Sequence, residues 1–156
     1  MIELEPIAFV KNSRSKPIDD YWGDIISQIV LEESFPEAML EGIESFSHLE
    51  IIYYFHRADK TKTCREARHP RNNPNWPKVG ILAQRGKNRP NRIGLTAVKL
   101  VNREGRVLTV AGLDAIDGTP VIDIKPVMKE FLPDGEVKQP SWVGELMRDY
   151  WRKDSH

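Results

Sequence analysis

The chain of 156 residues contains one cysteine, Cys64, so it has neither an internal disulfide framework nor a cysteine-built zinc site. It has no long apolar run. The longest spans residues 51–55, against the roughly 20 apolar residues a membrane-spanning helix needs. Gly-x-Gly occurs nowhere, which removes the glycine-rich dinucleotide fingerprint and the phosphate loop. There is no Gly-x-Ser-x-Gly elbow and no His-Glu-x-x-His, so hydrolase and metalloprotease readings have no motif support. The first residues, Met1-Ile2-Glu3-Leu4-Glu5, are acidic and lack an apolar h-region. The expectation is a cytoplasmic protein with no membrane partner and no metal.

What is present is a mixed composition, 40% hydrophobic and 29% charged, which excludes a disordered tail or a fibre. The length suits one core, so a single domain over 1–156 is expected, with no additional C-terminal domain. The formal net charge of zero hides a segregation. Residues 1–56 carry 3 Lys/Arg against 11 Asp/Glu, residues 57–92 carry 11 against 2, and residues 93–156 carry 9 against 10. A short central segment thus holds nearly all the positive field. Lys and Arg concentrated in this way neutralise phosphates and release counterions, although a solvated basic loop has the same composition.

The segments read mostly as short strands: 7–10, 28–32, 48–56, 79–83, 95–101, 107–110 and 121–124. Strand 48–56 has a near-continuous apolar run, which predicts burial on both faces. Residues 36–40 read as a single helical stretch with Ser34 as its cap and Gly42 as its end. Residues 57–78 form a long loop with Pro70, Pro74 and Pro77. Residues 103–105 read as a hairpin turn, and Asp117-Gly118-Thr119-Pro120 as another turn. A C-terminal helix is expected over 141–151, with Trp142, Leu146 and Tyr150 on one face and Val143, Met147 and Trp151 beside them. Strands at hairpin spacing with only two helical segments predict a mainly β single domain, a small β-barrel or sandwich, with short peripheral helices and a C-terminal helix.

Residues 84–92 place four basic and three amide side chains in nine positions. Arginine forks match phosphate oxygens and amides read base edges, which makes Lys87, Arg89, Asn91 and Arg92 candidate RNA contacts. Arg89 and Asn91 also suit a turn fastened to backbone carbonyls. Asp123 and Lys125 share a strand face and can pair, with Ile122 and Ile124 pointing into the core. His48 and His56, eight apart on one strand, would lie about 26 Å apart, too far to share a metal. His48 reads as a core histidine and His56 as a residue at the edge of a site. Trp22 suits either stacking on a base or closing the barrel end.

Three stretches resemble one family. Gly80-Ile81-Leu82-Ala83-Gln84-Arg85 followed by Arg89-Pro90-Asn91-Arg92-Ile93-Gly94-Leu95-Thr96 is the first. Leu113-Asp114 followed by Asp117-Gly118-Thr119-Pro120-Val121-Ile122-Asp123-Ile124-Lys125-Pro126 is the second, and Phe46-Ser47-His48-Leu49 with Phe55-His56 the third. Together they resemble the TsaA-like (YaeB-like, TrmO) family of S-adenosylmethionine-dependent tRNA methyltransferases, over residues 5–130. The resemblance implies a single β-barrel, a homodimer with S-adenosylmethionine near the subunit contact, and N6-methylation of threonylcarbamoyl-adenosine next to the anticodon. Carried over by motif position, the cofactor contacts are His56, Arg85, Leu95, Ala111, Gly112, Leu113 and Asp114. The loop at Asp20 to Trp22 stands where family members add further contacts.

An adenosine amide nitrogen becomes a good nucleophile as its proton leaves, so a general base would help; Asp114, Asp117 and His56 are the candidates. The alternatives are the same barrel methylating another, smaller substrate and a non-catalytic RNA- or nucleotide-binding barrel.

Overall fold

The computed structural model describes residues 1–153. Eight strands run in chain order: β1 Ala8–Lys11, β2 Ile26–Leu31, β3 His48–Tyr54, β4 Ala67–Arg68, β5 Val79–Gly80, β6 Ile93–Glu104, β7 Val107–Ala111 and β8 Pro120–Pro126. Six of them close a barrel in the order β1-β2-β7-β6-β3-β8, each paired antiparallel with its neighbours. The expected β-barrel is therefore present. Closure removes free sheet edges, which otherwise template aggregation.

Alternation explains the core. Along β3 the side chains of Leu49, Ile51 and Tyr53 are buried while those between them are half-buried. On β6, Gly94, Thr96 and Val98 point inward and Leu95, Ala97 and Lys99 outward. Ile51 stands between Thr96 on one side and Ile124 on the other. Together with Val10, Ile29, Leu108, Val110, Leu113 and Val121, these residues fill the barrel. Burying each such aliphatic side chain stabilises the fold by about 1.5–3 kcal/mol. A smaller cluster of Trp22, Ile25 and Ile116, with Tyr150 packed on it, lies apart from this core.

Several expectations need correction. β3 is buried on one face, because a closed barrel offers one interior; its run of apolar residues covers an interior and a half-covered exterior. His56 lies past the end of β3, so it does not share a strand with His48. His48 is exposed and bonded to Ser47 Oγ at 2.7 Å, not a core histidine. Ser34 caps nothing: the stretch at Glu37–Leu40 is 3-10, its cap position is Pro36, and Gly42 at φ 89 separates it from a second turn at Ile43–Ser45. Strand 79–83 shrinks to the two-residue β5, and 81–83 is a 3-10 turn. The β6–β7 hairpin turns at Gly105-Arg106, one residue later than expected, because Glu104 pairs with Val107. A bulge near Ile52 and Tyr53 shifts the β3–β8 register, so Ile124 but not Ile122 packs on the core. Asp123 accepts from the Ile124 amide and forms no ion pair with Lys125. The C-terminal helix, α1, covers Ser141–Leu146; the chain continues to 151 as turns.

Candidate functional site

One end of the barrel opens into a cavity of about 1210 Å³. Its lining comes from four parts of the chain: residues 17–22, the ends of β3 and β6 with the turn after β7, the segment 57–93, and the C-terminal residues 139–151. The 57–78 loop is ordered by short elements. Asp59 caps a 3-10 turn through Thr61, β4 pairs with β5, and the Gln84 amide donates to the carbonyls of Arg68 and Val79. Cys64, half-buried there, donates weakly to the Glu66 carbonyl.

At the barrel end lies Asp114. Its Oδ1 accepts from the Tyr53 hydroxyl at 3.1 Å and from Thr96 Oγ1, and its Oδ2 accepts from the Tyr150 hydroxyl. Gly94 permits this: a Cβ there would meet Tyr53 Cζ at 2.5 Å. Burial first, and the Asp114 charge second, push both tyrosine hydroxyls far above their ordinary values, so both remain donors. Three hydroxyls on one carboxylate make Asp114 the organising group of the barrel end.

His56 lines the same cavity. Burial, then the Arg57 charge, lower its imidazole from the ordinary 6.5, so it is neutral at pH 7 and free to take a proton. Asp117 does not line the cavity. It is exposed and accepts from the Asn12 amide at 3.0 Å, fixing the turn before β8. Arg85 and Leu95 line the cavity together, the arginine donating to the Leu95 carbonyl. Ala111, Gly112 and Leu113 stay outside it, and Leu113 is fully buried in the barrel core. Trp22 has an edge on the cavity but is 4% exposed, with the Arg14 guanidinium 3.9 Å above its ring and its Nε1 donating to Asp19. It closes the barrel end, and its covered face leaves no room for a stacked base.

The basic candidates separate as well. Lys87 lines the cavity. Arg89 also does, but its guanidinium donates to the carbonyls of Gln84 and Gly86 at 2.7 and 3.4 Å and fastens that turn. Arg92 donates to the Tyr54 hydroxyl and to Thr63, tying the loop to β3. Asn91 is exposed and outside the cavity.

Sequence reasoning missed Tyr53, Thr96 and Tyr150 as a group, since positions 53, 96 and 150 meet only through tertiary structure. It also missed Arg57 and Lys62, which line the cavity with no ion pair among the described residues. Their membership of the 57–92 charge block was the available signal.

Residues 9–131 match the family model of the tRNA-methyltransferase O N-terminal domain. A human protein named tRNA (adenine(37)-N6)-methyltransferase is 40% identical over 105 residues, covering 67% of this chain and 23% of that protein. A Pyrococcus abyssi protein named a probable S-adenosyl-L-methionine-binding protein is 43% identical over 155 residues, covering 96% of this chain and 78% of that protein. Crystal structures of TrmO from Pseudomonas aeruginosa share the fold. One has TM-score 0.72 and 24% identity, over 91% of this chain and 62% of that one; a second has TM-score 0.68 and 26% identity, over 87% and 61%. The chain spans about a quarter of the length of the human relative and most of the archaeal one. With the family model matched over the barrel and the whole central segment, the chain belongs to the tRNA-methyltransferase O N-terminal domain family.

Proposed function

We propose that this protein is an S-adenosylmethionine-dependent methyltransferase that modifies N6 of an adenine in tRNA, and more finely the N6 nitrogen of threonylcarbamoyl-adenosine beside the anticodon. The observation that carries the reading is the cavity: in a chain of this family, one opening collects unpaired cations, an apolar wall and an organised carboxylate. Arg57, Lys62 and Lys87 supply the cations, and Trp142, Leu146 and Met147 the apolar lining. Cations suit a polyanion and flat apolar faces suit bases. The names of the human and archaeal relatives point the same way.

The residues present fit the cofactor. Leu95 is 42% exposed and, with Phe55, offers apolar surface to an adenine. A carboxylate has about four lone-pair sites. Three hydroxyls occupy Asp114, which leaves one acceptor for a ligand hydroxyl or ammonium. Arg85 keeps N–H donors beyond its bond to Leu95 for a ligand carboxylate. When bound, S-adenosylmethionine supplies a sulfonium methyl group as the electrophile. The chain's own work is to hold the acceptor in line with that methyl and to exclude water. His56, neutral and on the cavity, takes the proton that the acceptor nitrogen loses as the carbon–nitrogen bond forms.

We propose further that two copies pair with the cavity near their contact. Leu82, Ile93 and Leu95, at 81%, 36% and 42% exposure, leave apolar surface at the cavity that a second copy would cover.

The test is incubation of the purified protein with labelled S-adenosylmethionine and tRNA carrying threonylcarbamoyl-adenosine, followed by mass analysis of nucleosides. The expected result is one methyl on N6 of the modified adenosine. Cofactor binding without methylated nucleoside would move the reading to a smaller acceptor. No cofactor binding at millimolar ligand would leave a nucleotide-binding barrel.

A further inference from the structure

The C-terminal residues meet the rest of the chain in an unusual way. Every residue from 128 to 141 is exposed, including Phe131 at 79% and Leu132 at 57%, so the barrel does not hold this linker. Beyond it, attachment resumes at defined points. The amides of Tyr21, Trp22 and Gly23 donate to the carbonyls of Asp149, Tyr150 and Arg152 at 3.0, 2.8 and 3.2 Å. Trp76 Nε1 donates to Glu145 Oε2 at 3.2 Å. The Tyr150 ring packs on Trp22, Ile25 and Ile116, and its hydroxyl ends on Asp114. At Gly23 the approach is close: a Cβ would fall 2.0 Å from the Trp151 carbonyl oxygen.

These attachments are local, and the segment they hold walls the cavity, through Trp142, Val143, Leu146, Met147 and Tyr150. With the segment in place the cavity measures about 1210 Å³, so the segment encloses the space and does not fill it. The two oxygens of Asp114 differ in how their donors are held. Tyr53 and Thr96 belong to barrel strands and fix Oδ1, while Oδ2 has its donor from the C-terminal segment.

We propose that residues 141–152 are a hinged wall of the cavity, and that Tyr150 is the positioning residue that latches this wall to Asp114. Ligand enters and leaves when the latch opens and the exposed linker bends. With the wall released, Oδ2 of Asp114 is open to a ligand donor or water. Closure then fixes the carboxylate and the apolar wall in one step. The ligand part of the proposal rests on the reading of the cavity as the cofactor site; the hinge does not.

Hydrogen exchange of the full-length protein tests the hinge without any ligand. The Tyr21, Trp22 and Gly23 amides should exchange through a local opening, faster than the amides of the β2–β7 ladder. Tyr150→Phe keeps the ring and removes the latch; it should speed those three amides about tenfold and leave the ladder unchanged. Gly23→Ala displaces the segment from the backbone side, leaves Asp114 and Tyr150 intact in composition, and should do the same. In stopped-flow measurements both variants should release S-adenosylhomocysteine about tenfold faster than the parent. Exchange of amides 21–23 in step with the ladder in all three proteins overturns the hinge. Unchanged release rates with accelerated exchange overturn the gating role. If the parent protein binds no S-adenosylhomocysteine while the exchange pattern holds, the cofactor reading fails and the hinged wall stands.

Discussion

At the scale of single residues, chemistry and scaffolding lie side by side. His56, Asp114 and Asp117 are equivalent as titratable side chains in a sequence, and the fold gives them different work. Asp117 braces a turn, Asp114 organises three hydroxyls, and His56 faces the cavity neutral. His56→Ala should lower methyl transfer by about 10²–10⁴-fold, the range of a lost general base, with little change in thermal stability. The sign of its pH dependence follows from the downward shift: the base must be unprotonated, so the rate climbs as pH rises through a value below 6.5 and is flat above it. A rate profile with its acid limb above 6.5 would assign the proton to another group. Asp114→Ala should instead cost stability, on the order of 2–4 kcal/mol in denaturant unfolding. It removes the carboxylate that accepts from Thr96, Tyr150 and Tyr53, leaving Tyr53 only the residue-114 backbone carbonyl, and a buried unsatisfied donor costs about 1–3 kcal/mol.

Among the elements, the central segment shows why a charge pattern overstates a binding surface. Four basic residues fall in 84–92, yet Arg89 and Arg92 are spent on backbone carbonyls, a tyrosine and a threonine. Lys87, Arg57 and Lys62 line the cavity with no ion pair among the described residues. Arg89→Ala should therefore lower unfolding stability by about 1–2 kcal/mol. Lys87→Ala should leave stability within about 0.5 kcal/mol and weaken tRNA binding. The salt slope of that binding should fall by about 1 for Lys87→Ala if the lysine meets one phosphate. Equal effects of the two substitutions on binding would contradict this division. β3 offers a second lesson. Its apolar run reads as a strand buried on both sides; a closed barrel has one dry side, and Ile52 and Tyr54 cover part of the other.

For the whole molecule, the barrel supplies one end of the cavity and the segments 17–22, 57–93 and 139–151 supply its walls. The acidic first third, the basic centre and the slightly acidic remainder balance to zero overall, but the cations collect at the cavity. A long-range attraction for a polyanion therefore needs no net positive charge. Pairing of two copies, with Leu82, Ile93 and Leu95 at the contact, predicts a dimer by sedimentation equilibrium at micromolar concentration. Leu82→Glu should shift that equilibrium toward monomer without unfolding the barrel. A monomer at all accessible concentrations would remove the pairing proposal and leave the single-chain cavity as the complete site.

The sequence alone showed a mainly β chain with barrel or sandwich spacing, a basic segment and the motifs that carry the family resemblance; that resemblance implied His56, Arg85, Leu95 and Asp114, which line one cavity, together with Ala111, Gly112 and Leu113, which do not. Alternating burial, turn residues and motif spacing are properties of neighbours in the chain, and they can be read there. Three things were decided by tertiary structure. The hydroxyl cage of Asp114 joins positions 53, 96, 114 and 150, and no local pattern links them. The structural use of Arg89 and Arg92 depends on carbonyls and hydroxyls that face them only after folding. The helix expected over 141–151 ends at Leu146 and the chain continues as turns. The carbonyls of Asp149, Tyr150 and Arg152 then meet the amides of Tyr21, Trp22 and Gly23, more than a hundred residues away, a pairing that local periodicity does not carry.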